Sequence, residues 1–353
     1  GRKWIIVKKF KRLSLIFMLI DIMMFSLSGC GKGKNTLNVY NWGDYIDESV
    51  IKEFEKEYNI KVNYETFATN EDMYVKIKKG GTDYDVLVPS DYMITKMINE
   101  NMLEKIDMNN IPNYKDIPSK FKNLAFDPKN EYSVPYMWGT VGIIYNTKLI
   151  KDNIDSWDAL WNPKYKGQIL MVDSQRDAIA VALKKLGYSM NTTNKAELEK
   201  AKQELIKQKP LVHAYVGDEV KDLMTDEEGA MAVVWSGDAV TMMKNNKNLR
   251  YVIPKEGSNL WFDNMVIPKG SKHKKEAEMF INFMTRPDIA LKNVRYIGYS
   301  TPNTKTLEMM TPEERNNKTA YPEDAKIKKC DVFVDLGDFI KEYDRAWTEI
   351  KAK

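Results

Sequence analysis

Residues 36–64 read TLNVYNWGDYIDESVIKEFEKEYNIKVNY. Leu37 to Asn41 is strand-like, and Val50, Ile51, Phe54 and Tyr58 then recur at helical spacing behind Asp47, a residue type suited to capping a helix start. Ile60, Val62 and Tyr64 alternate with polar neighbours, which is the two-residue period of a second strand. Strand, helix and strand in one short stretch is the sequence form of an α/β domain.

Outward from this stretch the grammar continues. A helix around Glu71 to Lys79 leads through Gly80-Gly81 into the buried run Val86-Leu87-Val88, closed by Pro89. A less regular stretch with Pro112, Pro118, Pro128 and Pro135 precedes the apolar run Val141 to Tyr145. Ile169 to Val172 reads as a strand before a helix from Asp177 to Leu186, and Met231 to Trp235 as a strand before a helix from about Ala239. Lys195 to Lys207 is a charged amphipathic helix with a solvated face. Tyr251 to Pro254 and Met265 to Pro268 read as further strands, with helices at about Lys274 to Thr285 and Gly337 to Ile350. No internal repeat or low-complexity tract interrupts the pattern.

The composition fits a folded chain with ample core: 353 residues, 43% hydrophobic, 29% charged and 11% aromatic. At about 150 residues per domain, the length suggests about two domains. The formal charge of +4 is concentrated at the N-terminus, where Arg2, Lys3, Lys8, Lys9, Lys11 and Arg12, less Asp21, leave the rest of the chain slightly acidic. A nucleic-acid binder would need its basic patch on the folded body, so that class is excluded. Two cysteines and two histidines leave little material for a disulfide framework or a His-rich metal site, and no cofactor is expected.

Residues 1–29 read as a targeting segment. The basic stretch is followed by the apolar run Leu13 to Phe25, the length of a signal-peptide core and short of the ~20 residues a membrane-spanning helix needs. Leu27-Ser28-Gly29-Cys30 resembles a bacterial lipobox, in which small residues precede a cysteine that receives a lipid, and residues 30–36 form a polar, flexible tether. Asp21 departs from the pattern because an acid within the apolar run disfavours insertion. The competing reading is a short membrane anchor ahead of an ordinary buried cysteine. The lipobox reading makes the protein exported and held at the outer face of the membrane through Cys30.

The informative residues stand just beyond the strands. In open α/β sheets, ligands bind in the crevice outside the strands' carboxyl ends. Those positions hold Trp42 with Asp44 and Tyr45, Ser90 with Asp91 and Tyr92, Asp173 with Asp177, and Trp235 with Ser236 and Asp238. Trp261-Phe262-Asp263 and Tyr299-Ser300-Thr301-Pro302 add two more groupings. A tryptophan that ends a strand is usually core, and an aspartate before a helix is usually a cap. The repetition of rings and carboxylates at four junctions favours a site instead. Carboxylates pair with cations, and indole or phenol faces attract a cation by roughly 0.5–2 kcal/mol while covering methylene groups. The complement is an elongated organic cation with an apolar spacer. An anionic ligand would call for arginine, lysine or glycine-rich turns at these junctions, and only Arg176 answers to that.

Several longer motifs point to a family. Tyr40-Asn41-Trp42, Val88-Pro89-Ser90, the run Tyr132 to Gly139, Lys164-Tyr165-Lys166-Gly167, Trp261-Phe262-Asp263 and the run Ile297 to Asn303 resemble the spermidine/putrescine-binding lipoproteins of bacterial ABC importers, in order and over nearly the whole chain. The resemblance implies a two-lobed periplasmic-binding-protein fold of type II, each lobe a mixed sheet flanked by helices, with the ligand cleft between lobes. The implied lobes are 37–140 with 262–307, and 141–261 with 308–353. It also implies polyamine-site positions at Trp42, Tyr45, Ser90, Tyr92, Asp177, Trp235, Trp261, Asp263 and Tyr299, with ABC permease subunits as partners. Ser174 stands where the family pattern has an acid and Phe333 where it has an amide, whereas Asp238 resembles the acid of putrescine-preferring relatives. These substitutions tilt the expected preference toward putrescine, unless Asp44 or Asp173 supplies the missing charge to spermidine. Asp263, two residues from Trp261 and so on the same strand face, is expected to be the main counter-ion.

Two other classes compete. Cys330 could act as a nucleophile with His213 as base. No glycine-rich phosphate loop, nucleophile elbow or paired-histidine zinc motif supports an enzyme, and both His213 and His273 read as surface residues. The same fold could instead hold another small solute, such as a metal, an oxyanion or an amino-acid-like compound.

Overall fold

The computed structural model describes residues 35–353. Cys30 and the expected targeting segment lie outside the described residues. The strands are β1 (Asn35–Trp42), β2 (Ile60–Phe67), β3 (Val86–Leu87), β4 (Ser133–Asn146), β5 (Ile169–Val172), β6 (Val212–Val216), β7 (Met231–Trp235), β8 (Leu249–Val252) and β9 (Leu260–Val266). Their order is β2-β1-β3-β9-β4-β7-β5-β6, with β8 also paired to β4.

This path contains two mixed sheets joined by one strand. Ser133 to Thr140 of β4 pair with β9 beside the parallel set β2-β1-β3, whereas Val141 to Asn146 pair with β7 and β8 beside the parallel set β7-β5-β6. The first sheet and its helices form one lobe, and the second forms the other. The apolar residues of the opening stretch behave as their spacing predicts: Leu37 and Val39 of β1 and Val50 and Phe54 of the helix Glu48–Tyr58 are buried together. Asp47 caps that helix by accepting the Ser49 amide, and Asn59 ends it in a left-handed conformation.

Three features differ from the sequence expectation. Pro135 is not in an irregular stretch but inside β4, where the pairing register shifts between Pro135 and Met137; a residue without an N–H is tolerated at such an irregularity. The last strand is not Met265 to Pro268 but Leu260–Val266, so Trp261 and Asp263 lie within it. Its buried Asp263 and Asn264 hide the strand from a reading based on apolar runs. The strand Val212–Val216 and the helices Val220–Thr225 and Pro287–Ile297 were not foreseen. In β6 only Val216 is fully buried, which leaves little hydrophobic signal. No helix among the described residues is long and apolar enough to cross a membrane.

Candidate functional site

The carboxyl ends of β1, β2, β3, β5, β6 and β7 converge on a cleft of about 730 Å³ between the sheets. Every ligand-facing residue expected from the sequence borders it, including both residues contributed by β9, Trp261 and Asp263.

Asp263 is the clearest of these. It is 6% exposed, and its two oxygens accept hydrogen bonds from Ser90 Oγ and Tyr45 Oη, each at 2.7 Å. Both donors are neutral, and among the described residues Asp263 forms no ion pair. Burial pushes its carboxyl up to about 7, against the pull of the two hydroxyls. Around it the rings of Tyr45, Tyr299 and Trp261 meet edge to face, with centroids 5.4 Å apart for Tyr45 and Tyr299 and 5.0 Å for Trp261 and Tyr299. A carboxylate that retains its charge in such a place calls for a cation.

Two further buried carboxylates continue the line. Asp238, beside Tyr299, is raised to about 7 by burial, and Asp177 to about 6. Asp177 accepts from Ser174 Oγ at 2.8 Å, so Ser174 positions the neighbouring acid rather than replacing one. All three acids line the same cleft, with Asp238 and Asp263 both close enough to act on the Tyr299 phenol and Asp177 close enough to act on Asp263. Asp91 contributes differently. It is fully buried, and its oxygens accept from the amides of Tyr92 at 2.7 Å and Phe262 at 3.0 Å, tying the helix Asp91–Asn99 to β9. It shapes the wall from behind, and its carboxyl is pushed up to about 8 by burial.

The acids that could have restored the missing charge are already partnered. Asp44 takes Lys221 Nζ at 2.7 Å on one oxygen and the Tyr296 hydroxyl at 2.9 Å on the other. Asp173 takes Lys351 Nζ at 2.7 Å. The Arg176 guanidinium lies over the Phe333 ring, 4.4 Å from the ring centroid, and Arg176 donates to the Val334 carbonyl and to Asn191. That end of the cleft is therefore closed by a fixed cation and a ring.

Sequence reasoning missed the residues that hold the site in shape. Asn70, the first residue of the helix Asn70–Lys79 that follows β2, accepts the Ser90 amide and donates to Ser90 Oγ and to the Tyr92 hydroxyl. Tyr92 in turn donates to Glu71 at 2.7 Å. Gly237, after β7, allows Tyr299 to pack directly on the backbone, since a Cβ there would fall within the ring; at Gly139 a Cβ would meet the Trp261 indole at 2.5 Å. Placing the end of β2 at the cleft, as for the other parallel strands, would have found Asn70.

Neither Cys330 nor either histidine borders the cleft. Burial pushes the Cys330 thiol up to about 11, the opposite of an activated nucleophile, and His213 stands exposed on β6. Among the described residues no group of three or more His, Cys, Asp or Glu is arranged to hold a metal ion.

Two lobes around a cleft lined by rings and carboxylates define a binder of small solutes, and the chain belongs to the bacterial extracellular solute-binding proteins, whose family model matches residues 49–323. It is 40% identical over 321 residues to the spermidine/putrescine-binding periplasmic protein of Salmonella typhimurium, covering 90% of this chain and 92% of that one. Among solved structures it is similar to the spermidine/putrescine ABC transporter substrate-binding protein PotD of Streptococcus pneumoniae, with 43% identity, a TM-score of 0.78, and 90% and 99% of the two chains covered. It is also similar to the Tp0655 (TpPotD) lipoprotein of Treponema pallidum, with 29% identity, a TM-score of 0.82, and 90% and 100% covered. These relationships bear out the family resemblance and the fold expected from the motifs, and they set the enzyme reading aside.

Proposed function

We propose that this protein captures polyamines outside the cytoplasm and delivers them to an ABC importer. The observation that carries the reading is Asp263, a carboxylate buried among Tyr45, Trp261 and Tyr299 and held only by neutral hydroxyls. A terminal ammonium supplies the charge it lacks, while the methylene spacer lies between the rings. The names of the relatives agree with that chemistry.

Binding couples to closure. The lobes are taken as 37–140 with 262–307 and 141–261 with 308–353, so that Asp263 and Asp238 approach the ligand from opposite sides. A ligand touching both shifts a hinge equilibrium toward the closed form by its differential affinity, and the permease reads that form. Lipidation of Cys30 would hold the protein at the membrane, a reading that rests on the lipobox and agrees with the similar Treponema pallidum protein being a lipoprotein. Putrescine is the favoured ligand, because Asp44 and Asp173 are engaged by lysines and Phe333 offers no acceptor to a third ammonium.

Calorimetric titration with putrescine and spermidine, against glutamate, sulfate and calcium as controls, tests the reading. Heat of binding from the polyamines alone supports it, and binding of a control in their place overturns it. Spermidine bound more than tenfold tighter than putrescine, or ~1.4 kcal/mol, would reverse the assigned preference.

A further inference from the structure

Beyond Tyr299 the cleft ends in Asp44, Asp218 and Asp238, with one lysine among them. Lys221 Nζ lies 2.7 Å from Asp44 and 3.9 Å from Asp238, and its side chain is 22% exposed. Asp44 follows β1 of one sheet, whereas Lys221 belongs to the helix Val220–Thr225 beside the other. The lysine is therefore a primary ammonium on an alkyl chain, contributed from one lobe and seated on a carboxylate of the other. That is the chemistry of a polyamine terminus.

We propose that Lys221 is a specificity-determining residue: it occupies the Asp44 end of the cleft as an ammonium of the protein's own and so excludes the third ammonium of a longer polyamine. The proposal rests on the polyamine reading and deepens it. Both oxygens of Asp44 are already engaged, one by Lys221 and one by the Tyr296 hydroxyl, so a ligand amine arriving there must share acceptors with a fixed ammonium and faces a like charge, with Asp218 the remaining carboxylate at that end. Asp238 has Lys221 only at the longer distance of 3.9 Å, and Asp263, which lines the same cleft, has no cation among the described residues. A diamine needs two counter-ions and can be satisfied without disturbing the lysine. A triamine extending past Asp238 must evict it. At the opposite end Arg176 is fixed by the Val334 carbonyl, Asn191 and the Phe333 ring, so the chain cannot escape in that direction without meeting a second cation.

The bland alternative is that the Asp44–Lys221 pair only fastens the lobes together. The two ideas separate in the ratio of affinities. A fastening common to both ligands changes both by the same factor, whereas an occupied subsite penalises only the ligand that needs it. The test is calorimetric titration of the wild type and of Lys221→Met, Lys221→Gln and Lys221→Arg with putrescine and spermidine. Melting curves without ligand confirm that each variant is folded. The expected result is a rise of at least about tenfold in the spermidine-to-putrescine affinity ratio for the neutral variants, with Lys221→Arg holding the ratio of the wild type. Two neutral side chains of different polarity keep a packing fault in one from passing as selectivity. An unchanged ratio in folded neutral variants, including equal weakening of both ligands, overturns the proposal and leaves polyamine binding standing. A wild type that binds neither polyamine removes the reading beneath it, and this proposal with it.

Discussion

Asp263 and Asp44 are the same side chain in two electrostatic settings, some steps apart in one cleft. Asp263 is buried, held by two hydroxyls and uncompensated, and its carboxyl is displaced upward by burial. Asp44 lies at the half-open rim, its carboxyl held below the ordinary range, chiefly by the hydrogen bond from Lys221. What separates a carboxylate built for a ligand from one built for the chain is whether the fold already supplies its cation. Proximity to the cleft does not distinguish them, since both line it.

The strongest way to break the comparison is Asp263→Asn. The amide keeps the shape and loses the charge, so polyamine affinity should fall by about 2–5 kcal/mol, as when one side of a buried charged pair is removed. Calorimetry on the folded variant reads this directly, and an unchanged affinity would reduce Asp263 to a structural bridge between Ser90 and Tyr45.

A smaller loss is expected from Gly237→Ala, which touches no ligand. The added methyl collides with the Tyr299 ring, and overpacking of this kind costs about 1–3 kcal/mol. Affinity and melting temperature should both drop, because the ring lies against Trp261 and Tyr45. If only stability falls, Tyr299 is a wall of the core rather than of the site.

Acidity tests the same contrast without mutation. Asp263 and Asp238 are raised to about 7 in the folded protein, so the native state holds their protons over a range where the unfolded chain has released them. Their contribution to ligand-free stability is complete below the unfolded carboxyl range near pH 4 and is lost as the pH rises through about 7. A bound ammonium needs the ionised form. Affinity should therefore weaken as pH falls below about 7, by up to about tenfold per unit for each proton taken up, and ligand-induced stabilisation should be larger at pH 8 than at pH 5.5. Titrations at several pH values check it, and a pH-independent affinity would mean that neither acid meets the ligand charge.

The smallest effect belongs to Lys351→Ala. It frees Asp173, but both partners are partly solvated, with side chains 34% and 49% exposed, and such pairs are worth about 0–1 kcal/mol. Melting temperature should move slightly and polyamine affinity should not. A gain in spermidine affinity would show that Asp173 does reach into the cleft.

Most of this site could be read before any fold was known, because its chemistry sits beside signals that local sequence carries. Trp42, Ser90 and Trp235 announce themselves by following apolar runs, and Trp261 with Asp263 by their spacing. Lys221 and Lys351 could not be found this way: their partners lie 177 and 178 residues away, and nothing local to a lysine marks the acid it will meet. Gly237 was equally silent, because its meaning lies in the ring of Tyr299 that rests on it. Asp91 misled for the opposite reason. An acid at a strand end can face the ligand or brace the wall, and only the amides of Tyr92 and Phe262 decide which.

The strand Ser133–Asn146 has a consequence for how the molecule comes apart. Its first part is paired in one sheet and its second part in the other, with all but Tyr145 buried. Two lobes tethered by loops could melt separately, each with its own transition. Here one continuous strand is built into both sheets, so unfolding of either lobe frays the end of the strand that anchors the other, which couples the two. A solute held in the cleft therefore steadies the whole chain against unfolding, including regions it never touches.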